Sequence, residues 1–361
     1  MAGPGTVMPT IREVARLAGV SVATVSKALN ASGKVSEALR ERVETAARTL
    51  GYAPHASARS LRSGATRILG LLVADITNPF FLKLVEHIEQ LASAAGYSVI
   101  LCNSGEEPER EERHLRMLLS QRVDGILLIP VRDRWRGRIG ALARLPQPLV
   151  LVDRTLEGLE ADSVTIDNHM AGYLAGEHLI RLGHRRVAIV MGSPEHPIAR
   201  HRLDGLREAL ATGGIALDEQ LIARNCFNEE AAYRAVLALL DRAERPTAIL
   251  ATNNHLTLGL LRAVTDRALA IPDALSVIAV DDLPFSAIMR PGLTVVMQPS
   301  AAIADAAISG LLARIGGRDT EGGARAVILE PHLAVRGSTA APPPRADGIS
   351  VSASRTRGTR S

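Results

Sequence analysis

From Ile68 onward, short apolar runs alternate with longer amphipathic ones: ILGLLVA is followed by PFFLKLVEHIEQLASAA, YSVILCN, PEREERHLRMLLSQ, VDGILLIP and a run ending in PLVLVDR. Apolar runs of strand length separated by helical patterns of ten residues or more predict parallel strands covered on both faces by helices. The pattern then starts again. After SVTIDN come HMAGYLAGEHLIRLG, RRVAIVMG, ARHRLDGLREALATGG, NEEAAYRAVLALLD, TAILATN, HLTLGLLRAVTDRA and LSVIAVDD. Two halves of comparable size without close identity predict two similar doubly wound lobes. Ligands of such sheets bind beyond the carboxyl ends of the strands, so polar residues at strand ends are the candidates for a site.

The first 53 residues differ in kind. TIREVARLAGV, SVATVSKALN and SEALRERVETAARTLGY are three short helical patterns with no strand between them, broken by Gly19 and opened by Ser21 and Ser36 as caps. They predict a small three-helix domain. The following APHASARSLRSGATR begins with a proline-containing turn that blocks continuation, and HASARSL is too short to be a stable isolated helix. Beyond Gly337, STAAPPPRADGISVSASRTRGTRS has almost nothing to bury and is expected to be disordered.

Composition narrows the class. With 47% apolar and 22% charged residues in 361, the chain can bury full cores. No apolar run reaches the ~18 residues of a membrane span, and MAGPGTVMPT lacks the features of an export signal, so the protein is expected in the cytoplasm without a membrane partner. Cys102 and Cys226 are expected as buried free thiols, and the ten histidines form no HExxH and the cysteines no CxxC. No metal, cofactor or catalytic residue is expected, and His184 in LGHRR reads as a surface loop residue. Net charge is only +4, but residues 1–64 hold nine basic against four acidic residues and residues 340–361 four against one, leaving an acidic middle. Basic ends suit a polyanion binder, because each neutralised phosphate releases counterions.

The run GVSVATVSK fits a helix-turn-helix, in which the second helix lays its N-terminal residues in the major groove. Val14, Ala15, Val20 and Val25 can form the helix contact, Gly19 the turn, and Ser21, Thr24 and Ser26 short hydrogen bonds to backbone oxygens. Val22 and Ala23 would reach base edges first, where apolar side chains contact thymine methyls, and Lys27 can donate to guanine or phosphate. The alternative is that Val22 and Ala23 are packing residues of a generic bundle.

TIREVARLAGVSVATVSKALN, VSEALRERV, LGYAPHASARSLRSG, ILGLLVADITNPFF, VDGILL, LVDR, LGHRRVAIV, TAILATNN and the closing LAVRGST together resemble the LacI/GalR family of bacterial transcription regulators, over roughly residues 10–339. The resemblance implies an α/β chain: a disordered 1–8, a helix-turn-helix domain over 9–53, a hinge helix and linker over 54–64, an effector module similar to periplasmic sugar-binding proteins over 65–339, and a disordered basic 340–361. Lobe 1 is expected over about 65–164 and 293–325, and lobe 2 over about 165–292 and 326–339. It further implies a repressor that binds a pseudo-palindromic double-stranded DNA operator as a homodimer and associates with the nucleoid when bound. A small sugar-like effector would control that affinity from the interlobe cleft.

By the same resemblance Val22, Ala23 and Lys27 enter the major groove and Leu61 is the hinge leucine that wedges into the minor groove, with Arg59 and Arg62 near the backbone. Thr10, Asn30 and His55 complete the DNA-facing set. His55 stands where many members have Asn and is a weaker cap, which makes hinge folding less favourable; Leu61 could instead be an ordinary linker residue. The cleft set is Asn78, Phe80, Phe81, Asp153, Arg154, Arg202, Asn253, Asp281 and Gln298. Carboxylates, guanidiniums, amides and a phenyl face suit a polyhydroxy ligand.

Other readings stay open at these positions: Phe80 and Phe81 as core, Asp153–Arg154 as a structural ion pair, Asp281 as a helix cap. Asp167-Asn168 reads as a cap outside the site. Asn254 replaces a usual Asp, and Val280 replaces a usual aromatic, which removes a stacking face and puts a simple hexose or pentose in doubt. Phe81, Leu82, Val85 and Ile88 lie at helical spacing, as core or as part of a dimer face, and no leucine heptad follows residue 338 to support a tetramer. Two other classes compete: a transporter's solute-binding protein, against which the extra N-terminal helices weigh, and an α/β sugar- or nucleoside-processing enzyme, which a turnover assay would reveal.

Overall fold

The computed structural model describes residues 9–29, 35–52, 65–131, 142–317 and 323–343. The chain divides into two compact units, Met1–Arg67 and Ile68–Ser361. The expected disordered 1–8, the hinge over 54–64, and residues 344–361 of the expected basic tail lie outside the described residues.

The first unit has helices α1 (Ile11–Ala18), α2 (Val22–Leu29) and α3 (Glu37–Leu50). At the start of α1 the Thr10 N–H donates to the Glu13 carboxylate at 2.7 Å, so a donor left over by the helix is satisfied locally. Gly19 ends α1 at φ +62, a left-handed conformation that a residue without a Cβ adopts freely. Ser21 Oγ then accepts from Thr24 N–H at 3.1 Å and opens α2. Ser36 sits at the N-cap of α3 without a side-chain capping bond. Val14, Ala15, Ala18, Val25, Ala28, Val43, Ala46 and Ala47 form the core between the three helices.

The second unit contains two six-stranded sheets. Sheet 1 is built from β1 (Ile68–Val73), β2 (Ser98–Asn103), β3 (Gly125–Leu128), β4 (Leu149–Val152), β5 (Asp162–Ile166) and β11 (Ala326–Leu329), in the order β11-β5-β4-β3-β1-β2, all parallel. Sheet 2 has β6 (Val187–Val190), β7 (Ile222–Ala223), β8 (Ala248–Ala251), β9 (Ser276–Val280), β10 (Thr294–Met297) and β12 (His332–Ala334), in the order β12-β10-β9-β8-β6-β7. In sheet 2 the β10–β12 pair is antiparallel and the others are parallel. The sheets share one plan, and the strand order reverses between β1 and β3 in sheet 1 and between β6 and β8 in sheet 2. Each reversal leaves a crevice at the strand ends.

Helices α4 (Pro79–Ala94), α5 (Pro108–Ser120), α6 (Asn168–Arg181), α7 (Pro197–Thr212), α8 (Glu229–Leu240), α9 (Asn254–Asp266) and α10 (Ser300–Ile315) cover the sheets. Three start with proline, whose missing N–H has no partner to lose at that position. Helices α6 and α7 pack through glycines: a Cβ on Gly172 would lie 1.9 Å from the Arg202 carbonyl oxygen, and one on Gly205 1.9 Å from that of His169.

The expected lobe boundaries need correction. They give 293–325 to lobe 1 and 326–339 to lobe 2, whereas β10 pairs with β9 of sheet 2 and β11 pairs with β5 of sheet 1. Each extends its sheet by backbone pairing, so the chain passes between the sheets after Ile166, after Met297 and again after Leu329. The packed structure also runs past 339. Ala340 N–H donates to Ser276 Oγ at 3.1 Å, and its carbonyl lies 2.9 Å from His184 Nε2. His184 is therefore not a surface residue: it is 1% exposed, with Thr247 Oγ1 2.9 Å from Nδ1 and Ser276 Oγ 3.0 Å from Nε2. Burial lowers its pKa, so the ring stays neutral and stitches the C-terminal segment onto sheet 2.

Candidate functional site

On α2 and at its cap, Ser21, Val22, Ala23 and Lys27 are exposed, and Thr24 is half-buried with its hydroxyl 2.8 Å from that of Ser21. Val22 is 42% exposed and stands outside the three-helix core, which argues against the generic-bundle alternative for this face. Thr10, at the N-cap of α1, is exposed as well. Ser26 departs from expectation. At 8% exposure it lies on the packed side of α2 with Val25, whereas Ser21, Val22, Ala23 and Lys27 face outward. Asn30, His55, Arg59, Leu61 and Arg62 lie outside the described residues.

The second site is a cavity of about 310 Å³ in the second unit, and all nine residues of the expected cleft set line it. It lies at both strand-order reversals. Asn78 and Phe80 follow β1, and Asn253 follows β8. Asn78 Oδ1 caps α4 by accepting from Phe80 N–H at 3.1 Å, and Asn253 Oδ1 caps α9 by accepting from Leu256 N–H at 3.0 Å. Phe80 and Phe81 are both buried with ring centroids 5.3 Å apart, so they serve the lobe core and the cavity wall together.

Asp153 and Asp281 occupy equivalent places in the two sheets. Each is the first residue after its strand, β4 or β9, in the left-handed region at φ +66 and +77. Each donates its N–H to a valine carbonyl on the neighbouring strand, Val164 at 2.8 Å and Val296 at 2.9 Å. Non-glycine residues seldom adopt this conformation, and it turns both carboxyls out of the strand direction at the cavity. Asp281 is not a helix cap: the chain continues from it as turns, and its carboxylate accepts from Gln298 Nε2 at 2.7 Å. Burial pushes the Asp153 carboxyl up to about 6 against the pull of Arg154 and Arg202. Burial raises Asp281 as well, opposed by Arg202 and Gln298.

Arg202 is buried, Arg154 is nearly so, and both are engaged. Arg202 donates from Nε to Asn168 Oδ1 at 2.9 Å and from Nη1 to the Thr252 carbonyl. Asp167 does cap α6, accepting from Met170 N–H at 2.8 Å, but Asn168 beside it orients a cavity residue. Arg154 is gripped by Glu106, Nη1 to Oε2 at 3.1 Å and Nη2 to Oε1 at 2.9 Å, and donates to the Pro130 carbonyl at 2.8 Å. Its guanidinium carbon lies 5.6 Å from the Phe81 ring centroid. The contact to Asp153 is longer, 3.4 Å, so the adjacent pair is not the main ion pair here.

Several lining residues escaped the sequence reading. Glu106 follows β2, where the strand-end rule pointed, but nothing in sequence joined it to Arg154. Phe227 follows the two-residue β7, which leaves no periodic signal; it lines the cavity at 50% exposure. Val280, by contrast, is fully buried inside β9, and phenyl rings at Phe80, Phe81 and Phe227 still face the cavity. The lobes also touch directly. Asn254 Nδ2 donates to Asn78 Oδ1 at 2.9 Å, a bond an aspartate could not donate, and His255 Nε2 lies 2.8 Å from Asp75 Oδ2. The His255 bond and the Thr77 bonds hold the Asp75 carboxyl well below the usual carboxylate range.

Among the described residues, no group of three or more His, Cys, Asp or Glu is placed to hold a metal ion, and no helix is long and apolar enough to cross a membrane. Cys102 and Cys226 are buried free thiols.

Comparison with known proteins agrees with this plan. Residues 10–55 match the bacterial regulatory proteins of the lacI family, and residues 66–320 match the periplasmic binding proteins and sugar binding domain of the LacI family. The ribose operon repressor of Haemophilus influenzae is 34% identical over 92% of this chain and 98% of its own. A lac repressor dimer bound to operator and the anti-inducer ONPF superposes with a TM-score of 0.80 at 26% identity, covering 92% of this chain and 99% of that one. The transcriptional regulator CelR in complex with cellobiose gives 0.69 at 32% identity, covering 91% and 99%. With a helix-turn-helix unit ahead of a two-sheet ligand module, the chain belongs to the LacI family of bacterial transcription regulators.

Proposed function

We propose that this regulator is a repressor that binds a pseudo-palindromic operator as a homodimer in the cytoplasm, and that a sugar-like effector in the cavity between its two sheets sets its DNA affinity. The observation that carries the effector class is the composition of the cavity wall. Paired carboxyls on strand ends, amides at helix caps and phenyl rings from both lobes are the groups that hold hydroxyls and C–H faces of a sugar ring. A volume of about 310 Å³ is at the small end for ligand pockets and suits a single ring better than two. The relative named for a ribose operon and the neighbour in complex with cellobiose support a carbohydrate.

Residues from both lobes line one cavity, so a ligand there biases the lobe arrangement. Operator affinity would follow through a coupling of about 1–3 kcal/mol. In this reading Val22, Ala23 and Lys27 read the major groove, and Leu61 reports the lobe state to the operator centre. A thermal-shift screen of the full-length protein against pentoses, hexoses, polyols and nucleosides tests it, followed by operator titration with each hit. The expected result is a compound that raises the melting temperature and shifts operator affinity together. Binders that leave DNA affinity untouched, or no binder in any of these classes, would refute the reading.

A further inference from the structure

The charges around the cavity are not balanced toward an anion. Asp75, Glu106, Asp153, Glu195 and Asp281 line it, against two arginines and the imidazoles of His196 and His255, the latter held by Asp75. Both guanidiniums are committed: Arg154 is held in a two-pronged pair by Glu106 and by the Pro130 carbonyl, and Arg202 by Asn168 and the Thr252 carbonyl. Arg154 Nε, which has no hydrogen-bond partner, is buried 3.4 Å from the Asp153 carboxylate, and Nε and Nη1 of Arg202 are both bonded within the chain, so neither arginine offers a free fork. Phosphate and carboxylate groups are recognised by the planar fork of arginine, and here the fork of Arg154 is filled by a carboxylate of the chain itself. Glu106 is fixed by a left-handed backbone at φ +61 and by its N–H bond to the Ala74 carbonyl at 2.8 Å.

We propose that Glu106 is the residue that bars anionic ligands from the cavity: by occupying Arg154 it denies an anionic group its counter-charge, so a phosphorylated sugar is refused where its neutral parent is held. This rests on the cavity being the effector site. An anion entering would lose its water and face carboxylates without compensation, whereas a hydroxyl loses much less hydration and can donate to the same carboxylates. The elevated Asp153 carboxyl is a sign of the same shortage of free positive charge, since burial prevails over two nearby arginines.

The test uses the full-length protein at about pH 7.5, with pentoses, hexoses and nucleosides each paired with its phosphate monoester, read by calorimetry. Expected for the native chain is at least about 100-fold preference for the neutral parent of each pair that binds. Glu106→Gln should reduce that preference about tenfold or more, and inorganic phosphate should raise the melting temperature of this variant alone. Glu106→Asp, which keeps the charge, should retain most of the preference. An ester bound as well as its parent by the native chain overturns the proposal whether or not the variants fold, and so does a preference unmoved by Glu106→Gln. If neither member of any pair binds, the effector reading falls, and this proposal with it.

Discussion

Replacing Gly172 by alanine would put a methyl group 1.9 Å from the Arg202 carbonyl oxygen, 2.7 Å from its carbonyl carbon and 3.0 Å from its Cα. These are backbone atoms of α7, so no rotamer change relieves them, and α7 must back away by about 1 Å or more before the contact is tolerable. Two effects compete. Alanine inside a helix gains about 0.5–1 kcal/mol over glycine, while forced overpacking costs about 1–3 kcal/mol and sometimes more. Overpacking wins, with a net loss of about 1–2 kcal/mol, which corresponds to a melting temperature lower by about 2–8 °C for a module of this size. The displaced residue is Arg202 itself, so its bonds to Asn168 and Thr252 stretch too. Those bonds hold the Arg202 guanidinium at the cavity wall, so effector binding should weaken too, by about 10-fold or more if one charged hydrogen bond to the ligand is lost.

Denaturation and effector calorimetry on the full-length protein measure both effects. Gly310→Ala is the control: it lies in α10 with no atom within 4 Å of an added Cβ, so it should stabilise by about 0.5 kcal/mol or more and leave the effector alone. Native-like stability and affinity in Gly172→Ala would show that the close approach of α6 and α7 does not set the position of Arg202.

Other outcomes are expected together with this one. Because Asp153 titrates at about 6 in the folded chain, above its unfolded value, its contribution to stability is greatest in acid and is lost as pH rises through about 6; effector affinity should move the opposite way, climbing to a plateau above about pH 7, and a flat profile would count against an ionised Asp153 in binding. His184→Ala should cost about 2–4 kcal/mol in chemical denaturation, since Thr247, Ser276 and the Ala340 carbonyl lose their common partner. Its lowered pKa means that the native chain keeps this stability above about pH 6.5 and loses it as pH falls below that value, a slope that the variant should lack. Lys27→Ala should weaken operator binding and reduce the salt slope by about 1 if the ammonium meets phosphate, without altering effector affinity; an unchanged slope with unchanged base preference would remove Lys27 from the interface.

Much of the plan was legible because its signals are local. Periodicity announced β1 to β4, β6, β8 and β9, and caps such as Ser21 and Gly19 marked the helix-turn-helix. The short or exposed strands were not legible: β7 has two residues, and β11 exposes Ala326, Val327 and Ile328, so neither shows a buried alternation. The lobe boundaries expected beyond residue 292 fall in the wrong places, because β10 is a buried run whose sequence does not say which sheet it joins and β11 carries no buried alternation at all. The burial of Ser26 and His184 was hidden for a related reason, since the environment of a single polar side chain depends on elements distant in sequence.

The order of hydrophobic and polar residues by itself determined a three-helix unit, two strand-and-helix lobes and that a site would lie at strand ends; the family resemblance singled out Asn78, Asp153, Arg154, Asn253 and Asp281 there. Tertiary structure alone decided what groups at those ends meet: Glu106 on Arg154, Asn168 on Arg202, Asn254 on Asn78 and His255 on Asp75 join residues from 34 to 180 positions apart. Local periodicity records which face of an element avoids water, but a charge or hydrogen-bond partner is chosen by distance in space, and that exists only once the sheets have closed on one another.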